Sequence, residues 1–242
     1  MLPLKDNIPT ARFPIVTVLL IAANAGVFIY ELSLGSHQQN FFFVQYGMTP
    51  FEITHGVSLI SRSFPVFLTI FTSMFVHGGW LHIGGNMLFL WIFGNNVEDS
   101  MGRGRFLVFY LICGLAASAA QIAVIPDSTI PNIGASGAIA GVLGAYLLLF
   151  PRAKVLTLVF LGIFFTFIEL PAVIVLVFWI VLQLISGTFG YGGINTGGVA
   201  YFAHIGGFAA GLLTIKLFTM GRECVNEKQR YCRASRAPNE QG

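Results

Sequence analysis

The chain has 242 residues, 55% of them hydrophobic and only 10% charged, with a formal net charge of +3 and a mean hydropathy of +0.78. A soluble domain of this size carries about 25% charged residues, so the composition excludes an ordinary soluble protein, and the small net charge gives no footing for a nucleic-acid partner. The three cysteines form no disulfide framework: Cys113 falls in an apolar helix, and Cys224 and Cys232 lie in a basic tail with no histidine nearby for a zinc site.

In chain order, apolar runs predict six membrane-spanning helices at about 14–33, 79–97, 105–125, 135–150, 171–188 and 201–219. The first run is read as a retained helix, because no small-residue cleavage pattern accompanies it. Two further apolar stretches, 63–76 and 155–170, are short for a span. Basic residues decide between the alternatives. With six crossings, Lys5, Arg12, Arg103, Arg105, Arg152, Lys154, Lys216, Arg222, Lys228, Arg230, Arg233 and Arg236 all fall on one side, and only Arg62 falls on the other. The positive-inside rule makes that side cytoplasmic, with both termini on it. A seventh crossing at 155–170 would put the basic tail outside, so this stretch is expected to lie along or dip into the cytoplasmic interface. By the same logic 63–76 belongs to a long outer loop, 34–78, that partly penetrates the bilayer. The expected organisation is a cytoplasmic tail over 1–13, one membrane domain over 14–219 and a basic cytoplasmic tail over 220–242.

This topology gathers the unusual polar residues. His77, His82 and Asn86 open the second span, Ser136 opens the fourth and His204 opens the sixth. All five fall toward the outer leaflet. Polar groups inside a bilayer are costly and face the bundle interior, so a common site is expected. Ser136, Ala140 and Gly144 share one helix face, and His204, Gly207 and Gly211 share another. Small residues let two such backbones approach closely, which would set the serine hydroxyl beside the imidazole. The pairs Gly137/Gly141 and Gly207/Gly211 are packing devices on any reading. A hydroxyl is a weak nucleophile until a base adjoins it, and histidine titrates near neutrality.

The fourth span is short, so Ser136 is expected below the surface, in a recess that water reaches. It also stands at a helix N-terminus, whose unpaired N–H groups and positive dipole end suit an oxyanion. His82 and Asn86, at i and i+4, can add side-chain donors. Glu98, Asp99 and Glu169 fall at the inner side. Asp127 lies in an outer loop, and the reading adopted is a two-residue dyad.

The segments "HGGWLHIGGNMLFLWIFGNNVEDSMG", "GASGAIAGVLGAYLLLFPRAKVLTL" and "AHIGGFAAG" resemble the rhomboid intramembrane serine proteases, in a common prokaryotic form. The resemblance covers about residues 14–219, and its combination of His-x4-His-x3-Asn, Gly-x-Ser-Gly and Ala-His-x-x-Gly on three spans is highly specific. It implies an all-α polytopic membrane protein, a six-transmembrane-helix bundle of rhomboid type. It implies Ser136 as nucleophile and His204 as base, with His82, Asn86 and the Ser136 N–H stabilising the oxyanion. Gly134 belongs to the nucleophile motif, and His77 matches a motif position as an accessory residue. The implied activity is hydrolysis of peptide bonds in or near transmembrane segments of other membrane proteins, through an acyl-enzyme and without metal or cofactor. The implied location is a multi-pass protein of the prokaryotic plasma membrane, its active site opening outward, with membrane lipids and transmembrane proteins as partners. Client helices are expected to dock beside the fifth span. Glu98, Gly102 and Arg103 resemble the family's structural turn after the second span. One feature departs: many members carry a Trp-Arg pair in the first outer loop, and 34–78 has none, leaving Arg62 as a partial substitute.

Other classes fit less well. His77 and His82 are five apart with no adjoining glutamate, unlike a zinc-binding HExxH. A transporter or channel usually shows repeats, broken half-helices or an intramembrane acid. A client-binding relative without activity typically lacks the serine or the histidine, and both are present.

Overall fold

The computed structural model describes residues 1–162, 164–190, 199–226 and 231–234. Most of them are helical. Strand β1 (Leu2–Asp6) precedes α1 (Ile15–Leu32). Short helices follow: α2 (Ser36–Tyr46), α3 (Pro50–His55) and α4 (Thr69–Thr72), the last flanked by 3-10 turns at Val66–Leu68 and Ser73–Phe75. Next come α5 (Trp80–Phe89), a π turn at Leu90–Gly94 and α6 (Asn95–Met101). The bundle is completed by α7 (Arg103–Val124), α8 (Ser136–Leu149), strands β2 (Lys154–Leu161) and β3 (Phe164–Pro171), and helices α9 (Ala172–Gly190) and α10 (Tyr201–Thr219).

Apolar helices therefore stand at all six expected places. By length and composition, α1, α7 and α10 suffice to cross a membrane, and Val66–Phe75 with Trp80–Met101, bent by 81°, makes a fourth if the pair is one span. Helices α8 and α9 are apolar but shorter. That bend sets short helical turns within the 63–76 stretch at a steep angle to α5, an arrangement compatible with a broken span or with the partly embedded loop expected there.

The all-α expectation needs correction at one end of the bundle. Strands β1, β2 and β3 form an antiparallel sheet in that order, with Leu2 opposite Leu158 and Lys154 opposite Pro171. The segment "KVLTLVFLGIFFTFIELP" is rich in Val, Ile, Phe and Thr, residues that suit a pleated surface, and Gly162 supplies a positive φ of 67° between the strands. Apolarity alone did not distinguish this hairpin from an interfacial helix. Residues 1–13 are likewise not simply a tail, because Leu2–Asp6 pairs with β2. In the basic C-terminal segment, β4 (Arg222–Asn226) and β5 (Tyr231–Ala234) pair antiparallel; its residues 227–230 and 235–242 lie outside the described residues.

Helix α8 is the hub. Every residue from Gly137 to Tyr146 is buried, as expected of a helix apolar on all sides. It meets α10 through glycine: a Cβ on Gly207 would strike the Gly137 carbonyl, and one on Gly211 would strike the Gly141 carbonyl. Gly144 sits equally tightly on the Phe208 backbone. The close face thus runs through Gly137, Gly141 and Gly144, one residue round from the face containing Ser136 and Ala140. Backbone-to-backbone contact of this kind replaces the hydrophobic drive that is weak among apolar surroundings.

The other end of α1 is fixed by a carboxylate. Glu98 accepts the backbone N–H groups of Val16 at 3.0 Å and Thr17 at 2.8 Å, and the Thr17 hydroxyl at 2.8 Å. This caps the first turn of α1 with charge opposite to the helix dipole. It accords with the structural role expected of Glu98. Gly102, with φ of 83°, makes the turn into α7.

Arg62 does not reach outward from its loop. Its guanidinium pairs with Glu52, both side chains being fully buried. It also donates to the carbonyls of Val44 at 2.5 Å and Gln45 at 3.1 Å, and to the Ser58 hydroxyl at 2.8 Å. The one basic residue expected on the outer side is therefore spent on folding its own loop.

Candidate active site

The bundle end opposite the sheet holds the starts of α5, α8 and α10. The loop before α10 falls mostly outside the described residues, at 191–198. The α8–α10 glycine contact sets His204 Nε2 2.7 Å from Ser136 Oγ, across 68 residues of sequence. Ser136 is the first residue of α8, after Ala135 as N-cap, so its N–H has no intrahelical acceptor. The imidazole is 8% exposed and the serine half-buried.

The second nitrogen of the same ring also has a partner. His204 Nδ1 lies 2.8 Å from Gln183 Oε1 on α9. Trp179, one turn earlier on α9, sets its ring 5.7 Å from that of His204, tilted by 39°. Gln183 and Trp179 are residues the sequence reading missed. The available signal was polarity: Gln183 is the only amide side chain between 172 and 188, and polar side chains in apolar spans usually serve a purpose.

Three more expected residues converge from the loop before α5 and from α5 itself. His77 is fully buried; its Nδ1 lies 3.2 Å from the Phe75 carbonyl and its Nε2 3.0 Å from Asn86 Nδ2. A carbonyl only accepts, so Nδ1 carries the proton and Nε2 accepts from the amide. The His77 backbone N–H donates to Glu31 Oε1 at 3.1 Å, a buried acid of α1 outside the expected set. The Gly78 N–H donates to His82 Nδ1 at 3.4 Å, which leaves His82 Nε2 as the protonated nitrogen.

Gly134 explains its place in the nucleophile motif. Its φ is 117°, and a Cβ there would lie 2.6 Å from His82 Nε2 and 3.6 Å from Asn86 Nδ2. Its N–H donates to the Ser73 carbonyl at 2.8 Å. Two side-chain donors thus close on the backbone two residues before Ser136, with only hydrogen on the intervening Cα. His82, Asn86, Ser136, Trp179, Gln183 and His204 line a common cleft of about 680 Å³. Asp127 is elsewhere: it is paired with exposed His55 at 3.7 Å. Among the described residues no group of His, Cys, Asp and Glu is arranged to hold a metal ion.

A serine hydroxyl against a histidine in a recess between apolar helices defines a membrane protein with a candidate nucleophile. Residues 65–221 match the family model described as Rhomboid domain. The chain belongs to the rhomboid family. It is 28% identical over 202 residues to Rhomboid-like protein 11, chloroplastic, of Arabidopsis thaliana, covering 81% of this chain and 66% of that protein. It is 38% identical over 101 residues to Rhomboid protein 1, mitochondrial, of Saccharomyces cerevisiae, covering 38% and 28%. It is 44% identical over 78 residues to Rhomboid protease GluP of Bacillus subtilis, covering 32% and 15%. The chain thus spans between 15% and 66% of the length of these relatives.

Proposed function

We propose that this protein is an intramembrane serine endopeptidase that cuts peptide bonds in or near transmembrane segments of other membrane proteins. The observation that carries this reading is the 2.7 Å contact between His204 Nε2 and Ser136 Oγ, made inside a cleft with two side-chain donors close by. The family supports it, as does the similarity to a relative whose name is rhomboid protease.

The chemistry follows the acyl-transfer template. His204 Nε2 takes the Ser136 proton as Oγ attacks the scissile carbonyl carbon. The carbonyl electron pair moves to oxygen, and the oxyanion is held by His82 Nε2–H, by the Asn86 amide hydrogen not given to His77, and by the Ser136 N–H. His204 returns its proton to the leaving amine as the C–N bond breaks. Water then attacks the ester, again through His204, and frees Ser136. The client backbone unwinds before attack, because a helical carbonyl is already hydrogen-bonded; clients with helix-breaking residues near their outer end are cut best. The client helix docks beside α9, whose exposed Val173, Ile174, Val177 and Phe178 present an apolar face.

The positive-inside reading places both termini in the cytoplasm and the cleft toward the outer side of a prokaryotic plasma membrane. No metal or cofactor takes part in this scheme.

The test is fluorophosphonate labelling of the detergent-solubilised protein, read by mass spectrometry. The expected result is a single adduct at Ser136 that is lost in Ser136→Ala and His204→Ala. A folded wild type that stays unlabelled, where a control intramembrane serine protease reacts, overturns the proposal in favour of client binding without cleavage.

A further inference from the structure

Resting on the dyad reading above, we propose that Gln183 is a positioning residue for the base: its side-chain carbonyl accepts the Nδ1–H of His204 and so fixes the tautomer in which Nε2 is free to take the Ser136 proton.

A neutral imidazole carries its single proton on one nitrogen or the other, and only the Nδ1–H form is a base toward Ser136. In serine hydrolases with a third member, a carboxylate selects that form. Here no acid does so: among the described residues the hydrogen bonds of the His204 ring run to Ser136 and to Gln183. The 2.8 Å separation between Nδ1 and Oε1 is that of a good hydrogen bond. An amide oxygen accepts and cannot donate, so Gln183 held in this sense imposes the productive tautomer without bringing a charge into an apolar bundle.

Helix α9 contributes a second restraint. Trp179 and Gln183 are four residues apart and share a face. Trp179 lies against the ring at 5.7 Å between centroids and also against Phe208, one turn beyond His204 on α10, at 6.3 Å. Ring tilt and tautomer are therefore both set from α9, while the serine comes from α8. The proton-accepting geometry of His204 depends on α9 being packed against α10, the helix beside which a client docks. Gln183 is half-buried and lines the cleft, so its amide NH₂ keeps access to water and the group is not stranded.

The hydrogen bond also strengthens as the reaction proceeds. When Nε2 takes the serine proton, positive charge spreads over the ring, and a bond from a charged donor is roughly twice as strong as a neutral one. Gln183 thereby favours the state that accompanies the tetrahedral intermediate.

The first measurement leaves Gln183 untouched. Solid-state NMR of ¹⁵N-histidine-labelled protein in lipid, with His204→Ala to assign the signal, reads the tautomer directly. The Nδ1–H form is expected. The Nε2–H form, in which the Gln183 amide is turned to donate through its NH₂, overturns the proposal. The second measurement is the rate of fluorophosphonate labelling at Ser136. Gln183→Leu is expected to slow it by about 10- to 100-fold and to give a mixed tautomer signal. Gln183→Glu, which restores an oxygen acceptor of the same reach, is expected to recover labelling to within about fivefold of wild type. A folded Gln183→Leu that labels at the wild-type rate overturns the proposal, as does a folded Gln183→Glu as slow as the leucine variant. If Gln183→Leu fails to fold, the tautomer signal and the Gln183→Glu rate decide. Absence of His204-dependent labelling in wild type is a failure of the dyad reading, distinguishable from any of these because it precedes the variants.

Discussion

Gly207 lies against Gly137 so closely that a single Cβ would collide with the facing carbonyl. Three residues before Gly207, His204 meets Ser136. The two contacts are one relationship, because α8 and α10 approach to hydrogen-bonding distance for their polar residues only where neither helix has a side chain in between.

Gly207→Val is therefore expected to disable the protein twice. Backbone is in the way, and it cannot rotate aside as a side chain would. Helix α10 must shift, which lengthens the His204–Ser136 contact. Fluorophosphonate labelling should fall at least about 100-fold, since misplacement by about 1 Å has that effect on oriented groups. The thermal midpoint in detergent should fall with it. Gly84→Ala, at a position where a Cβ meets nothing within 4 Å, should leave both unchanged.

Gly134 gives a sharper test, because its substitution perturbs the cleft while leaving the α8–α10 packing alone. Alanine there is strained by the φ of 117° and lies 2.6 Å from His82 Nε2. Gly134→Ala should push His82 aside and reduce labelling at least about 10²-fold, with a thermal midpoint closer to wild type than that of Gly207→Val. Equal loss of stability in the two variants would show that Gly134 serves packing and not the donor pair.

These two glycines also mark what the sequence made legible. The motif spacing pointed to Ser136, His204, His82, Asn86 and Gly134, which the structure brings close together, and the apolar runs pointed to six places where helices stand, of which α1, α7 and α10 are long and apolar enough to cross a membrane. The strands did not show themselves, since an apolar run such as 155–170 is compatible with strand, interfacial helix or span, and only pairing with Leu2–Asp6 decides. Partners made by burial were also invisible: Glu31 behind His77, and Glu52 neutralising Arg62, are joined by tertiary contacts that no local pattern encodes. Gln183 lies between these cases. Its polarity stood out in the sequence, but its target depended on where α9 packs.

Asn86 divides its amide between two jobs. One hydrogen goes to His77 Nε2 at 3.0 Å, and the proposed mechanism assigns the other to the oxyanion. Asn86→Ala should lower labelling about 10²- to 10³-fold if the second job matters. His77→Phe keeps a ring but removes the acceptor, so Asn86 is freed to turn, and a smaller loss of about tenfold is expected. Comparable losses in both variants would assign Asn86 to orientation of the loop. Rates measured at saturating probe, alongside circular dichroism to confirm folding, separate the two outcomes.

Asp6 supplies a pH dependence at the sheet end, far from the chemistry. Its carboxylate accepts from the Tyr146 hydroxyl at 2.5 Å and from Asn96 Nδ2 at 2.6 Å, linking β1 to α8 and α6. Burial raises its pKa from 3.8 to about 6, against the opposing hydrogen bond from Tyr146. A raised carboxyl pKa means that the folded protein keeps the proton over a range in which the unfolded chain has lost it. The contribution to stability is thus full below about pH 4 and falls as pH rises to about 6, with no further change above. The informative quantity is the difference between wild type and Asp6→Asn, which retains an oxygen acceptor but does not ionise. Unfolding in SDS, followed between pH 4 and pH 8, should show wild type losing stability relative to Asp6→Asn up to about pH 6, with parallel curves beyond. A difference that is constant across the whole range would show that Asp6 is already ionised in the fold, with its Tyr146 and Asn96 bonds outweighing the desolvation.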